Sequence, residues 1–134
     1  MRLVSLTRQM STTIRIISRV GGWVLTAVIL TLSFVPPNLR PETGAPHDLE
    51  HFAIFCATGA AFGVGYGGNR RLVSIALVAF AAAIEVSQIF VPGRHARLSD
   101  FIVDAAAACV GVLLATVVAR AHTKVSDMSA GRVN

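Results

Sequence analysis

The chain has too little charge to cover a water-facing surface of its size. Only 14% of its 134 residues are charged, while 54% are hydrophobic. Soluble globular domains carry about 25% charged residues, so the deficit points to a membrane protein before any motif is read. Basic residues interleaved with aromatics, the footprint of a nucleic-acid binder, are also missing. The formal net charge of +5 therefore does not indicate nucleic acid, because the basic residues stand at the ends of apolar runs. The two cysteines, Cys56 and Cys109, lie inside apolar runs. With no CxxC and no metal spacing, they read as small packing residues. No P-loop, nucleophile elbow, internal repeat or low-complexity tract is present, so the chemistry those motifs support has no anchor here.

What the chain does have is four apolar runs: Gly21 to Val35, His51 to Gly67, Leu72 to Val91 and Phe101 to Ala119. A bilayer core needs about 20 helical residues at about 1.5 Å each. The third and fourth runs meet that directly, Ile16, Ile17 and Val20 can extend the first, and the second is short. Because a helix satisfies its own backbone groups in lipid, four α-helices are expected. Pro36-Pro37, the GGNRR turn at 67 to 71 and Pro92-Gly93 separate them. No A-x-A-like site follows the first run, so it is expected to remain as a helix rather than be cleaved as a signal peptide. The expected organisation is a basic segment 1–19, a four-helix membrane domain 20–119 and a disordered tail 120–134.

With the N-terminus in the cytoplasm, the inner segments hold Arg2, Arg8, Arg15, Arg19, Arg70, Arg71, Arg120, Lys124 and Arg132. The outer segments hold only Arg40, Arg94 and Arg97. This bias predicts both termini in the cytoplasm of a multi-pass protein. Every acid except Asp127 falls on the outer side or in the outer halves of the third and fourth runs. Acids contribute little to orientation, so their asymmetry needs another cause.

The stretch IEVSQIFVPGRHARLSDFIVD, residues 84 to 104, supplies it. Glu85 lies about 10 Å along its helix from Pro92, and Gln88 shares its face at i+3. Asp104 sits about 7 Å inside the fourth helix, one turn below Asp100. Asp48 and His51 stand at i, i+3 where the second helix starts. Three helices thus direct polar groups inward at one depth. A charge there costs about 2.5–3.5 kcal/mol unless it pairs or lines a wet cavity. Arg94, Arg97, His47, His51 and His95 are the available partners. Gly59, Gly63 and Gly67 form a GxxxG-type face on which a helix can pack closely, including one from a second copy of the chain.

Plainer roles compete. Asp48 can act as an N-cap with Glu50 favoured by the helix dipole, and Ser99 or Asp100 can cap the fourth helix. Arg94 and Arg97 can be solvated loop charges, and His95 an ordinary loop residue. Glu85 or Asp104 can form a purely structural pair with an arginine. Caps and solvent do not account for charges as deep as these two. His47 and His51 have an i, i+4 spacing that can chelate a metal, but spacing alone carries little weight, and no metal or other cofactor is expected.

The motifs D-x-x-H-F (Asp48, His51, Phe52), I-E-x-x-Q-x-F-x-P-G-R (Ile84, Glu85, Gln88, Phe90, Pro92, Gly93, Arg94) and S-D-x-x-x-D followed by Gly111 (Ser99, Asp100, Asp104) appear in this order. Over about residues 45 to 115 the chain resembles the VanZ-like family of small bacterial membrane proteins, named for a factor associated with teicoplanin resistance. It departs from that pattern in having Leu49 where the family often has lysine, with its histidine one residue early. Asp104 stands where the family often has asparagine. The resemblance implies a place, the bacterial cytoplasmic membrane and envelope, more than a reaction.

Three readings follow. In the first, Asp48, His51, Glu85, Gln88, Arg94, Ser99, Asp100 and Asp104 form an outer-leaflet pocket for a lipid-linked cell-wall precursor or an envelope protein, or hold the helices in register. In the second, the chain is a membrane enzyme on a lipid or glycan. Glu85 would be the general acid or base, His51 a second proton carrier and Arg94 the stabiliser of negative charge. In the third, Glu85 serves a proton-coupled transporter. That reading ranks last, because the inner halves of the helices carry no ionisable step.

Overall fold

A computed structural model of the protein describes residues 2–35, 44, 46–91 and 97–130, with side chains described within 11–35, 46, 48–91 and 97–122. The described residues form four α-helices and no strand: α1 (Arg2–Phe34), α2 (His47–Gly65), α3 (Arg70–Gln88) and α4 (Leu98–Ala130). The outer two are longer than their apolar runs. No proline or glycine interrupts residues 2–20 or 112–130, so neither stretch contains a helix breaker. The segments expected as a separate basic arm (1–19) and a disordered tail (120–134) are accordingly helical from Arg2 and through Ala130. Pro46 precedes α2, where its missing N–H is harmless, and its carbonyl accepts from the N–H groups of Leu49 and Glu50. Tyr66 to Asn69 turn the chain into α3.

Three helices, α1 over Ser11–Phe34, α3, and α4 over Leu98–His122, are long and apolar enough to cross a membrane. The expectation of four such helices fails at α2. Its first two turns hold His47, Asp48, Glu50 and His51, which dilute an already short run.

The helices do not share contacts evenly. α2 packs most extensively on α4 and next on α1, α3 leans on α4, and α1 barely meets α3. The α2–α4 seam is built from small residues. A Cβ on Gly59 would run into the backbone of Ala108, and one on Gly111 into the backbone of Cys56 and Ala60. A Cβ on Gly63 would lie 2.9 Å from Ala115 Cβ. Gly59 and Gly63 are therefore covered by α4 of the same chain. Gly67, past the end of α2, meets arginine side chains instead. Around the seam the core holds Phe55, Phe62, Leu77, Ala81, Ile84, Ala107, Ala108 and Val112. Large apolar side chains such as Ile17, Val24, Leu113 and Val118 point outward, as lipid-facing residues do.

The sparse α1–α3 contact leaves an apolar slot of about 300 Å³ between these helices, floored by Phe62 and Tyr66 of α2.

Candidate functional site

The start of α2, the end of α3 and the start of α4 meet at one end of the bundle. Four polar side chains from these elements are buried there: His51 at 8% exposure, Glu85 at 7%, Gln88 at 5% and Asp104 at 1%. Their burial follows from the periodicity expected of the sequence. Ala81, Ile84, Glu85 and Gln88 share the inward face of α3, and Asp104, Ala107, Ala108 and Gly111 that of α4.

His51 and Asp104 form the centre. Nδ1 of His51 lies 3.0 Å from Oδ1 and 3.2 Å from Oδ2 of Asp104, which ties α2 to α4 across the seam. An ionised carboxylate can only accept, so in this pair the Nδ1–H of the imidazole donates. Pairing lets a carboxylate as buried as Asp104 persist at this depth, and removing either partner would leave the other stranded. Of the partners the sequence offered, His51 is the one that meets Asp104 among the described residues.

Glu85 also has a partner other than an arginine side chain. Its carboxylate accepts the backbone N–H of Arg97, the residue just before α4, whose carbonyl accepts from the N–H groups of Asp100 and Phe101. An acid of α3 thus sits at the N-terminus of α4, where the helix dipole favours negative charge. It lies within electrostatic reach of Asp100, Asp104 and His51. The Arg97 side chain is exposed.

The remaining expected residues are dispersed. Asp48 is exposed on the first turn of α2, and no side-chain hydrogen bond caps that helix. It joins neither the cluster nor a cap. Ser99 is exposed on the first turn of α4, its hydroxyl 3.0 Å from the half-buried Asp100 carboxylate. Arg94 and His95, and the side chain of His47, lie outside the described residues. Two buried hydroxyls escaped the sequence reading. Thr58 is fully buried one helical segment below His51 and donates to the Ile54 carbonyl at 2.7 Å, and Ser33 is buried near the end of α1. A threonine or serine inside an apolar run gives little signal, because such residues commonly satisfy themselves on their own helix.

The cluster is rich in acceptors. The carboxylates of Asp100 and Asp104 and the His51 imidazole all lie within electrostatic reach of Glu85, and the Gln88 amide adds both donor and acceptor capacity. Such a set suits a ligand that brings hydrogen-bond donors. The sequence matches the family described as VanZ/LLP1 over residues 6–119, which includes the whole cluster. No curated protein and no solved structure matches it significantly.

Proposed function

The chain belongs to the VanZ/LLP1 family of membrane proteins, and we propose that its polar cluster binds a ligand of the bacterial envelope at the outer leaflet of the cytoplasmic membrane. The observation that carries this reading is the buried His51–Asp104 pair joining α2 to α4, with Glu85 held at the N-terminus of α4 beside it. Four polar groups kept at this depth by three helices are costly for a scaffold alone. The bias of arginine and lysine supports placing both termini in the cytoplasm and the cluster on the outer side. A lipid-linked cell-wall precursor fits the chemistry. Its sugar hydroxyls and peptide amides offer donors to Asp104, Glu85 and Asp100, and Arg97, exposed beside them, offers charge to its phosphates.

A second reading, a membrane enzyme acting on such a lipid, is favoured by one feature. A carboxylate on Nδ1 orients the imidazole as it does in general-base histidines. His51 would then carry the proton and Glu85 would position the substrate.

Retention of a polyprenyl diphosphate-linked muropeptide by the purified, detergent-solubilised protein, read by native mass spectrometry, tests the binding reading. Wild type should retain the lipid, and Glu85→Gln and Asp104→Asn, compared at equal amounts of folded protein, should lose it. Equal retention by both variants would refute the assignment. Turnover of the bound lipid by wild type, lost in His51→Gln, would move the conclusion to the enzyme.

A further inference from the structure

We propose that the opposite end of the bundle holds a specific anionic phospholipid, its phosphate gripped by Arg15, Arg19 and Arg70 and one acyl chain lying in the slot between α1 and α3. This site shares no residue with the polar cluster, and the inference does not depend on which leaflet it faces.

The arginines are brought together rather than spread. Arg19 donates from Nε to the Gly65 carbonyl at 2.8 Å and stacks its guanidinium 4.6 Å from the centroid of the Tyr66 ring. That anchoring requires Gly65, where a Cβ would lie 2.7 Å from Arg19 Cγ. At the adjacent turn, Nη2 of Arg70 and Nη2 of Arg15 approach the same point, 3.5 and 3.7 Å from where a Cβ on Gly67 would stand. Two guanidinium groups converging on one spot repel each other unless an anion lies between them. No described carboxylate serves that purpose, because Asp48, Glu50, Glu85, Asp100 and Asp104 all lie at the other end of their helices. Arg70 Nε is buried and has no hydrogen-bond acceptor among the described residues. Arg70 is also the first residue of α3, a helix with no side-chain cap from Asn69, and uncapped helix N-termini carry free N–H groups of the kind that bind phosphate.

The slot continues from this cradle. Arg15, Arg19 and Trp23 follow one another at i, i+4 and i+8 on α1, and Trp23, Tyr66 and Leu72 line the slot. Its lining is apolar along its length, formed by Phe62, Leu77 and Phe80 beyond these three. An acyl chain ending in a phosphate complements an apolar slot that ends in arginines. A free phosphate would fill only the cradle.

Trp23 is the only tryptophan of the chain, so the full-length protein carries its own probe. It is reconstituted in phosphatidylcholine vesicles containing a fixed fraction of lipid with brominated acyl chains, either phosphatidylglycerol or phosphatidylcholine. Quenching by bulk lipid is common to both, and the difference between the headgroups reads the site. Each basic residue near a surface favours an anionic lipid by about fivefold. Phosphatidylglycerol should therefore quench more strongly at equal bromine content, and Arg15→Gln with Arg70→Gln should erase the excess. Ala76 also lines the slot, and Ala76→Phe, which fills it and leaves the arginines intact, should erase the excess independently. Equal quenching by the two headgroups in the wild type overturns the proposal without any variant. So does an excess that survives both changes. Loss of the excess on adding inorganic phosphate, at ionic strength matched with sodium chloride, assigns the arginines to a soluble phosphate and overturns the lipid. Persistence of the excess under phosphate supports it.

Discussion

Alanine substitutions at four glycines should separate by what each new methyl meets. Intrinsic helix propensity favours alanine over glycine by about 0.8–1 kcal/mol wherever there is room. Gly21 has nothing within 4 Å of its Cβ position, so Gly21→Ala should gain about that amount. At Gly63 the methyl would lie 2.9 Å from Ala115 Cβ and 3.2 Å from Val112 Cα, a clash that a small shift relieves. Overpacking of this kind costs about 1 kcal/mol, so Gly63→Ala should be near neutral, and adding Ala115→Gly should bring no net gain, because the relief of the clash is offset by the helix propensity lost at residue 115 of α4. At Gly59 and Gly111 the methyl meets backbone, of Ala108 in one case and of Cys56 and Ala60 in the other. Backbone cannot step aside without parting α2 from α4. A cost of about 3 kcal/mol is expected, at the upper end of overpacking penalties, leaving a net loss of about 2 kcal/mol after the propensity gain. The spread from Gly21→Ala to Gly111→Ala is therefore about 3 kcal/mol, and no side-chain truncation at Ala108 should rescue Gly59→Ala. Reversible unfolding in mixed micelles of rising dodecyl sulfate content, followed by circular dichroism, reads this order directly. If Gly59→Ala and Gly111→Ala unfold at the same dodecyl sulfate fraction as Gly21→Ala, the helices are not in backbone contact and the packing described is wrong.

Other outcomes follow from the polar cluster and the proposed orientation. Asp104→Ala and His51→Ala should each destabilise the protein by about 3 kcal/mol, because each strands a buried partner. The double variant should lose far less than the sum, and additive losses in the same unfolding assay would show the pair to be uncoupled. Glu85→Gln keeps an acceptor for the Arg97 N–H and should cost about 1 kcal/mol, the ordinary difference between a charged and a neutral acceptor. Glu85→Ala should cost more, and equal abundance of the two variants in membranes would remove the capping role. With Cys56 and Cys109 replaced, a membrane-impermeant maleimide should label Ser99→Cys in intact cells and Asn69→Cys only after the membrane is opened. The reverse pattern would invert the orientation proposed for the cluster.

The sequence reveals the site more readily than its pairing. Glu85 and Asp104 stand out because a carboxylate within an apolar run has no cheap explanation, and their inward orientation follows from helical spacing with Ala81 and with Ala107. Their partners do not follow from spacing. The pairing of Asp104 with His51 rather than an arginine depends on how closely α2 approaches α4, which is set by glycines and alanines that carry no chemical signal of their own. The bond from the Arg97 backbone to Glu85 was equally illegible, since every residue but proline has an N–H. Asp48 and Ser99 looked similar to His51 and Asp104 on the page, yet both occupy first turns, where a residue on the wrong side of the helix meets solvent. Registers at helix starts decide such cases, and those are the least certain feature of any sequence reading.

The least membrane-like helix is the one that packs most extensively on its neighbours. α2 packs heavily on α4 and α1 and also meets α3, and among the four helices it alone falls short of the apolarity needed to cross a bilayer, although it is as long as α3. These facts have one cause. A helix that faces lipid must be apolar around most of its surface, whereas a helix enclosed by its neighbours must be narrow, which here means Gly59 and Gly63, and can hold polar groups that its neighbours satisfy. His51 is tolerated at the start of α2 because α4 brings Asp104 to it. Hydropathy therefore ranks these helices by their exposure to lipid, and in a small membrane protein it marks down the helix around which a site can be built.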